Sequence, residues 1–268
     1  MKRALLGIAV ATLVVACATT TSPTGRKQYV GAVSQDELNQ LGAQAFAEAK
    51  AKEKLSTDAR QNTYVRCVVD AITRQLPAGW QSQWEVAVFQ DDSPNAFALP
   101  GGKIGVNTGI FTVAKNQDQL AAVIAHEIGH VVSRHHDERI TKQQGTSTLL
   151  GIGSAILGGA YGSGAGNAAS QLGGAAAQTF YLLPNSRTQE SEADVVGQEL
   201  AAKAGFDPRQ AVNLWQNMIA AGGSRPPQWL STHPDPQSRI SELGARAGSL
   251  MPTFEQARAA GHTPKCGS

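Results

Sequence analysis

The spacing of apolar residues predicts a chain that is mostly helical. Apolar side chains recur at helical intervals over residues 34–54 and again over about 57–76, where Pro77 ends the pattern. Ser34 precedes Glu37 by three positions, which is a capping-box pattern at the start of the first of these helices. Four further helices are predicted in the C-terminal part of the chain, over about 187–204, 208–221, 235–247 and 253–260.

One short region between the second and third helices has the pattern of β-strands. The stretch "WEVAVFQ" at 84–90 alternates and predicts a strand, and "NAFALPGGKIGVNTG" at 95–109 predicts two more around a Pro-Gly-Gly turn. A long helix then begins near Asn116 and is expected to run to about Lys142. The pattern therefore predicts an α+β fold, mainly α-helical, with one small β-sheet.

The N-terminus has the composition of a secretory signal. Two basic residues are followed by an apolar run that is short for a membrane span, and then by Cys17. The ending "VVAC" resembles the lipobox of bacterial lipoproteins, in which lipidation of Cys17 precedes cleavage. Ala18 follows where inner-membrane lipoproteins usually have aspartate. We therefore expect an outer-membrane lipoprotein on the periplasmic side, with a signal peptide at 1–16 and a lipidated polar tether at 17–33.

The rest of the chain is long enough for one domain with a single core. We expect that domain at 34–262, with an uncharged Gly/Ala-rich insertion at 145–177 and a tail at 263–268. Loss of the signal removes two of 23 basic residues and none of the 21 acidic ones, so the mature chain has equal numbers of both. Because no excess of positive charge remains, nucleic acid is not an expected partner.

Two cysteines remain beside Cys17. In the predicted helix over 57–76, Cys67 lies opposite the apolar stripe and therefore on the exposed face. Cys266 lies in the C-terminal tail, within reach of that face. An even pair in an oxidising envelope compartment predicts a disulfide between Cys67 and Cys266.

The strongest chemical signal is H-E-x-x-H at His126, Glu127 and His130, in a stretch that holds four of the six histidines. On a helix, His126 and His130 lie one turn apart on the same face, so both imidazoles can reach one tetrahedral zinc ion. Glu127 points beside the ion, where it can take a proton from a zinc-bound water. The alternative is a pair of surface histidines on an amphipathic helix.

Three residues compete to be the third ligand. His136 has the metzincin spacing, but Ser133 stands where that pattern has the glycine that ends the helix. The segment can continue as a helix, so His135 and His136 are expected to be solvated. Glu190 lies on a later predicted helix and would complete a site of two histidines and one glutamate.

Other residues of the same C-terminal region complete this picture. Asp194 lies one turn after Glu190 and can accept a hydrogen bond from the far nitrogen of a ligand histidine, whereas Glu192 and Glu199 are expected to face solvent. The third candidate ligand, His233, would either bind the zinc as a fourth ligand or stabilise the oxyanion that forms when water attacks an amide. Arg239 is expected to anchor the loop of His233.

Four motifs together resemble one enzyme family. In chain order, "NAFALPGGKIGVNTG", "HEIGH", "SRTQESEAD" and "STHPDPQSRI" are similar to those of the gluzincin zinc metallopeptidases typified by HtpX, the CAAX prenyl proteases, BepA and LoiP, over residues 34–247. The chain most resembles their compact lipoprotein branch. The resemblance implies a zincin-like metalloprotease domain with one Zn²⁺ per chain, Glu127 as general base and Asp194 beside the ligands. The zinc ligands that it implies are His126, His130 and Glu190.

The resulting hypothesis is a zinc endopeptidase that removes unfolded or misassembled envelope proteins. An exposed strand edge at Asn95, Ala96 and Phe97 would bind an extended peptide through backbone hydrogen bonds, which suits unfolded substrates. The expected partners are unfolded or misfolded proteins, the membrane through the lipid anchor, and envelope assembly or protease components. The alternative is a chaperone-like binding module with a structural or plugged zinc site.

Overall fold

The computed structural model describes most of the chain, namely residues 18–81, 84–144, 185–222, 233 and 236–267. The predicted signal peptide, Cys17 and the Gly/Ala-rich insertion lie outside these ranges. Among the described helices, none has the length and apolar character that a membrane crossing needs.

The predicted α+β, mainly helical fold is confirmed. The described helices are α1 (Gln35–Lys52), α2 (Ala59–Thr73), α3 (Gln117–Val132), α4 (135–144), α5 (Arg187–Lys203), α6 (Gln210–Gly222) and α7 (Pro236–Ala259). The strands are β1 (Ala18–Thr21), β2 (Lys27–Val30), β3 (Glu85–Phe89), β4 (Ala96–Leu99) and β5 (Lys103–Asn107), and a 3-10 helix follows at Thr108–Thr112. Pro252 lies inside α7, so the two helices predicted near the C-terminus are one, because proline can bend a helix without ending it.

The central sheet has three strands in the order β3-β5-β4. Strand β3 runs parallel to β5, whereas β4 is antiparallel to β5 and lies at the edge of the sheet. The predicted Pro-Gly-Gly turn joins β4 and β5, and Gly101 and Gly102 have φ values of 77° and 69° there, a region that glycine enters without steric cost. The sheet packs against α1, α2 and α3.

The N-terminal segment is a β-hairpin and not the polar tether predicted at 17–33. Strand β1 pairs with β2 in antiparallel register, and Val30 and Gln28 are both buried. The Gln28 side chain donates a hydrogen bond of 2.6 Å to the carbonyl oxygen of Ser133. The tether prediction is wrong because polarity alone does not show whether a side chain has a polar partner inside the domain.

Helix α3 is the centre of the main core. It packs on α2, α5, α6 and the sheet, and Leu120, Val123, Ile124 and Ile128 are fully buried. A second cluster lies between α1 and the sheet, where the rings of Phe46, Phe89 and Phe97 contact one another. Because α3 is buried on all sides, its polar residues must find partners within the protein.

Helices α3 and α5 cross in backbone contact. A Cβ atom at Gly129 would lie 2.8 Å from the carbonyl oxygen of Ala193, and one at Gly197 would lie 2.7 Å from the backbone nitrogen of His126. Real Cβ atoms essentially never come this close to backbone atoms. The two glycines therefore allow the helix that carries H-E-x-x-H to touch the helix that carries Glu190.

We expect Gly197→Ala to destabilise the protein by about 1–3 kcal/mol, because the added methyl group must push the two helices apart. Gly248→Ala is the matched control, since Gly248 is an exposed position of α7 where an added Cβ meets nothing within 4 Å. The control should gain about 0.5–1 kcal/mol from the higher helix propensity of alanine. Urea unfolding of both variants measures the difference, and equal effects would contradict the proposed close crossing.

Candidate metal centre

Four buried side chains from three parts of the chain converge on one point. His126 and His130 project from α3, Glu190 from the first turns of α5, and His233 from the segment before α7. One donor atom from each lies within 4.8 Å of every other. A capping box at Ser186 fixes the start of α5 and hence the position of Glu190. All four residues are at most 5% exposed.

The spacing of three of these donors fits a tetrahedral zinc ion. The Nε2 atoms of His126 and His130 are 3.1 Å apart, and the Glu190 carboxylate oxygens lie 3.5 and 3.4 Å from them, respectively. Bonds of about 2.0–2.2 Å to a tetrahedral ion put donor atoms about 3.3–3.6 Å apart. Oε1 of Glu190 is buried and accepts no hydrogen bond from the described residues, as expected of an atom reserved for a cation.

The outer nitrogen of His126 is held by a carboxylate. Nδ1 of His126 lies 2.9 Å from Asp194, so this nitrogen donates the hydrogen bond and Nε2 keeps its lone pair for a metal. Arg239 donates to both oxygens of Asp194, at 2.6 and 2.7 Å, and to Glu190 at 2.5 Å. Its guanidinium lies 4.1 Å from the centroid of the Trp215 ring. Arg239, expected at the loop of His233, therefore binds the carboxylates on either side of His126.

The charges of the centre favour a cation. Burial and the charge of Arg239 lower the pKa of His126, but hydrogen bonds to Asp194 and Glu190 outweigh both and raise it to about 9. Burial holds the pKa of His130 well below its usual value. Burial acts to raise the pKa of Glu190, yet the surrounding histidines keep it well below its usual value. The same carboxylates that favour a proton on His126 favour a metal ion, which binds by displacing that proton.

Glu127 lies beside the donor cluster without belonging to it. Its side chain is buried, and its Oε1 atom lies 3.3 Å from Nε2 of His233. This is the placement that the helical spacing predicts, because Glu127 is rotated about 100° from His126 around the helix axis. The centroid of the His233 ring is 5.1 Å from that of His126 and 5.5 Å from that of His130.

The predicted solvation of His135, His136 and Glu192 is wrong, because all three are at most 4% exposed. Helix α3 ends at Val132 rather than near residue 142, and Arg134 adopts a φ of 55° before α4 begins. This turn directs His135 back toward the centre. His136, the metzincin-type candidate, is not in the donor cluster found among the described residues. Glu199 is half-exposed and pairs with Lys203, so for it the prediction of solvation agrees with the structure.

Sequence reasoning missed two polar residues beside the centre. Nδ2 of Asn185 lies 3.4 Å from Nε2 of His130, and the Asn185 side-chain oxygen accepts a hydrogen bond from Arg139. Burial lowers the pKa of Arg139 to about 10, although Glu190 and Glu127 act to raise it. Neither residue belongs to a recognisable motif, and only the turn after α3 brings them to the site.

The residues predicted to line a substrate cleft have different surroundings. Strand β4 packs against α3, as expected, but Ala96 is 2% exposed and the ring of Phe97 packs on Phe46 and Phe89. These two side chains therefore contribute to packing, and only the backbone edge of β4 remains as a peptide-binding element. Asn95 is half-buried, and its carbonyl accepts a hydrogen bond from the backbone of Asn107.

The predicted disulfide is present. Cys67 of α2 is bonded to Cys266, and the bond closes a loop across a sequence separation of 199 residues. It fixes the C-terminal tail to the helix that packs on α3. A crosslink over so long a loop removes much of the conformational freedom of the unfolded chain.

Comparison with known proteins connects this centre to one peptidase family. Residues 59–247, which include all four donors, match the model of peptidase family M48. The chain is 39% identical over 163 residues to the mitochondrial metalloendopeptidase OMA1 of Schizosaccharomyces pombe, a match that covers 60% of this chain and 46% of that protein. It is 34% identical over 174 residues to the beta-barrel assembly-enhancing protease of Escherichia coli, covering 63% of this chain and 35% of that protein.

The matched region is thus about a third to a half of these curated relatives. The family match itself extends over more than half of this chain and contains the complete donor cluster. The motifs that resembled the gluzincin peptidases all contribute to the centre or to the strands beside it. The chain therefore belongs to peptidase family M48.

Proposed function

We propose that the chain is a zinc-dependent endopeptidase that holds one Zn²⁺ through His126, His130 and Glu190. The observation that carries this proposal is the set of three buried donors at 3.1–3.5 Å from one another. Two imidazole nitrogens and one carboxylate are the donor set of a catalytic zinc site that leaves a position for water. When bound, zinc supplies a Lewis acid that lowers the pKa of water to about 7.

The protein's own groups supply the proton transfer. Glu127 is the general base: its buried carboxylate takes a proton from the attacking water and then delivers it to the leaving amine. Asp194 and Arg239 keep His126 oriented while this occurs. The backbone edge of β4, which packs beside α3, binds the substrate as an added extended strand.

We propose unfolded or misassembled envelope proteins as the substrates. Recognition through a strand edge tolerates many sequences but needs an extended segment, which a folded protein does not present. The N-terminal pattern supports a lipid anchor on Cys17 and attachment to the outer membrane on the periplasmic side. The disulfide is consistent with an oxidising compartment. One relative is named for enhancing β-barrel assembly, which favours envelope assembly components as partners.

We expect Glu127→Gln to reduce hydrolysis of casein by about 10²–10⁴-fold while the protein still binds close to one zinc per chain, because the variant removes the base and keeps every donor. The measurements are a casein digest and metal analysis. Glu199→Gln makes the same chemical change on a half-exposed part of α5 and should leave the rate unchanged. Full activity of Glu127→Gln with zinc bound would refute its role as the base.

A chaperone-like binding module is the second candidate function, and His233 is the observation that favours it. Its donor nitrogen completes a cluster of four protein ligands, and a zinc site with four protein ligands is closed to water. If His233 stays in place, the protein binds chains without cutting them. If it moves away, the fourth position opens for water. We favour a latent peptidase in which departure of His233 precedes hydrolysis.

We expect His233→Ala to retain zinc through the other three donors and to cleave casein severalfold faster than the wild type, because the fourth position is then open to water. Initial rates at equal zinc loading provide the measurement. A fall in rate of about 10²–10³-fold would instead identify His233 as a group that stabilises the oxyanion. A wild type that suppresses aggregation and never cleaves, even as His233→Ala, would support the binding module.

A further inference from the structure

The outer nitrogen of His130 makes a contact that the proposed mechanism does not use. Nδ1 of His130 lies 2.7 Å from Nδ1 of His135, and Nε2 of His135 lies 3.1 Å from Oε2 of Glu192. Arg26 and Thr24, both in the turn of the N-terminal hairpin, bind the same Glu192 carboxylate. His135 is fully buried and Glu192 is 4% exposed, so these contacts are shielded from water.

The partners of Glu192 determine which atom in this series carries each proton. Thr24 donates to Oε1 at 2.5 Å, and Arg26 approaches Oε2 at 2.7–2.8 Å, so the carboxylate acts only as an acceptor. His135 must then donate from Nε2. A neutral imidazole has one N–H, which leaves its Nδ1 as an acceptor for His130. His130 therefore carries its proton on Nδ1, and its Nε2 lone pair faces Glu190.

We propose that His135 is a positioning residue for the metal centre: held by Glu192 and Arg26, it fixes the tautomer and ring orientation in which His130 binds the metal. The N-terminal hairpin is then part of the metal centre. The proposal rests on the metal-binding part of the proposed function and does not require peptidase activity.

The contacts of the other ligand histidine support this role. His126 donates from Nδ1 to Asp194, which is bound in turn by Arg239. Both ligand histidines thus have an acceptor at the outer nitrogen and an arginine at the end of the series. Such partners of ligand histidines typically contribute 10–100-fold to metal affinity. His135 extends the series to His130 by one imidazole, because the nearest carboxylate on this side belongs to Glu192.

The hairpin also holds the turn that places His135. Gln28 donates to the carbonyl oxygen of Ser133, and the backbone N–H of Gly31 donates to Asp137 at 2.9 Å. Arg26 in addition binds Glu138 through two hydrogen bonds of 2.9 Å. The contacts therefore come from both sides of the turn between α3 and α4. Loss of Arg26 should loosen Glu192 and this turn together.

The test is the zinc affinity of the protein in a Glu127→Gln background, measured by competition with a chromogenic chelator. His135→Phe keeps a ring but removes the acceptor, and we expect zinc to bind about 10–100-fold more weakly. His135→Asn keeps an oxygen near the position of Nδ1 and should recover most of the affinity. His262→Phe is the matched control at an exposed histidine and should bind zinc as the parent protein does.

Two further measurements separate positioning from folding. Thermal unfolding of each variant with chelator present should show similar midpoints, since the proposed loss concerns the metal and not the fold. Arg26→Gln changes a partly exposed residue at the far end of the series, and we expect it to weaken zinc binding about tenfold. If His135→Phe does not fold, Arg26→Gln decides. Unchanged zinc affinity in a folded His135→Phe or in Arg26→Gln would overturn the proposal.

The tautomer of His130 gives a readout that does not depend on zinc. Nitrogen-15 NMR of the metal-free protein should show the Nδ1–H form of His130 in the parent and a mixture of forms in His135→Phe. An identical tautomer in both proteins would overturn the proposal. If the parent binds no zinc but the tautomer changes as expected, the proposed function fails while the contact between His130 and His135 is verified.

Discussion

The close crossing of α3 and α5 is the constraint on which the metal centre depends. Backbone atoms of the two helices meet at Gly129 and Gly197, where any side chain would collide with the facing helix. A glutamate side chain is short, so Glu190 reaches His126 and His130 only when the two helices touch. The chemistry of the centre is therefore determined by two residues that carry no functional group.

The crossing also creates an electrostatic problem that the protein solves with arginines from distant parts of the chain. Glu190, Glu192 and Asp194 are all buried on α5, and a buried carboxylate without partners is costly. Arg239 of α7 binds Glu190 and Asp194, and Arg26 of the hairpin binds Glu192. A bound zinc ion would add the remaining positive charge at the one carboxylate oxygen that lacks a hydrogen bond from the described residues.

The two arginines differ in their relation to the family. Arg239 lies within residues 59–247, which match peptidase family M48, whereas Arg26 lies before them. The family match therefore accounts for the donors and for the support of His126, but not for the support of His130. On the proposal made above, a segment outside the matched region contributes to metal binding through His135. The hairpin would then link the start of the folded chain to its reactive centre.

The sequence by itself determined what depends on local periodicity. Helical spacing placed His126 and His130 on one face and Asp194 one turn from Glu190, and alternation placed β4 and β5 around their turn. Only the tertiary structure decided the surroundings of His135 and Glu192. Their partners lie 57 and 166 residues away, respectively. The turn at Arg134 that brings them inward has no local signal, because it is held by the hairpin and not by its own residues.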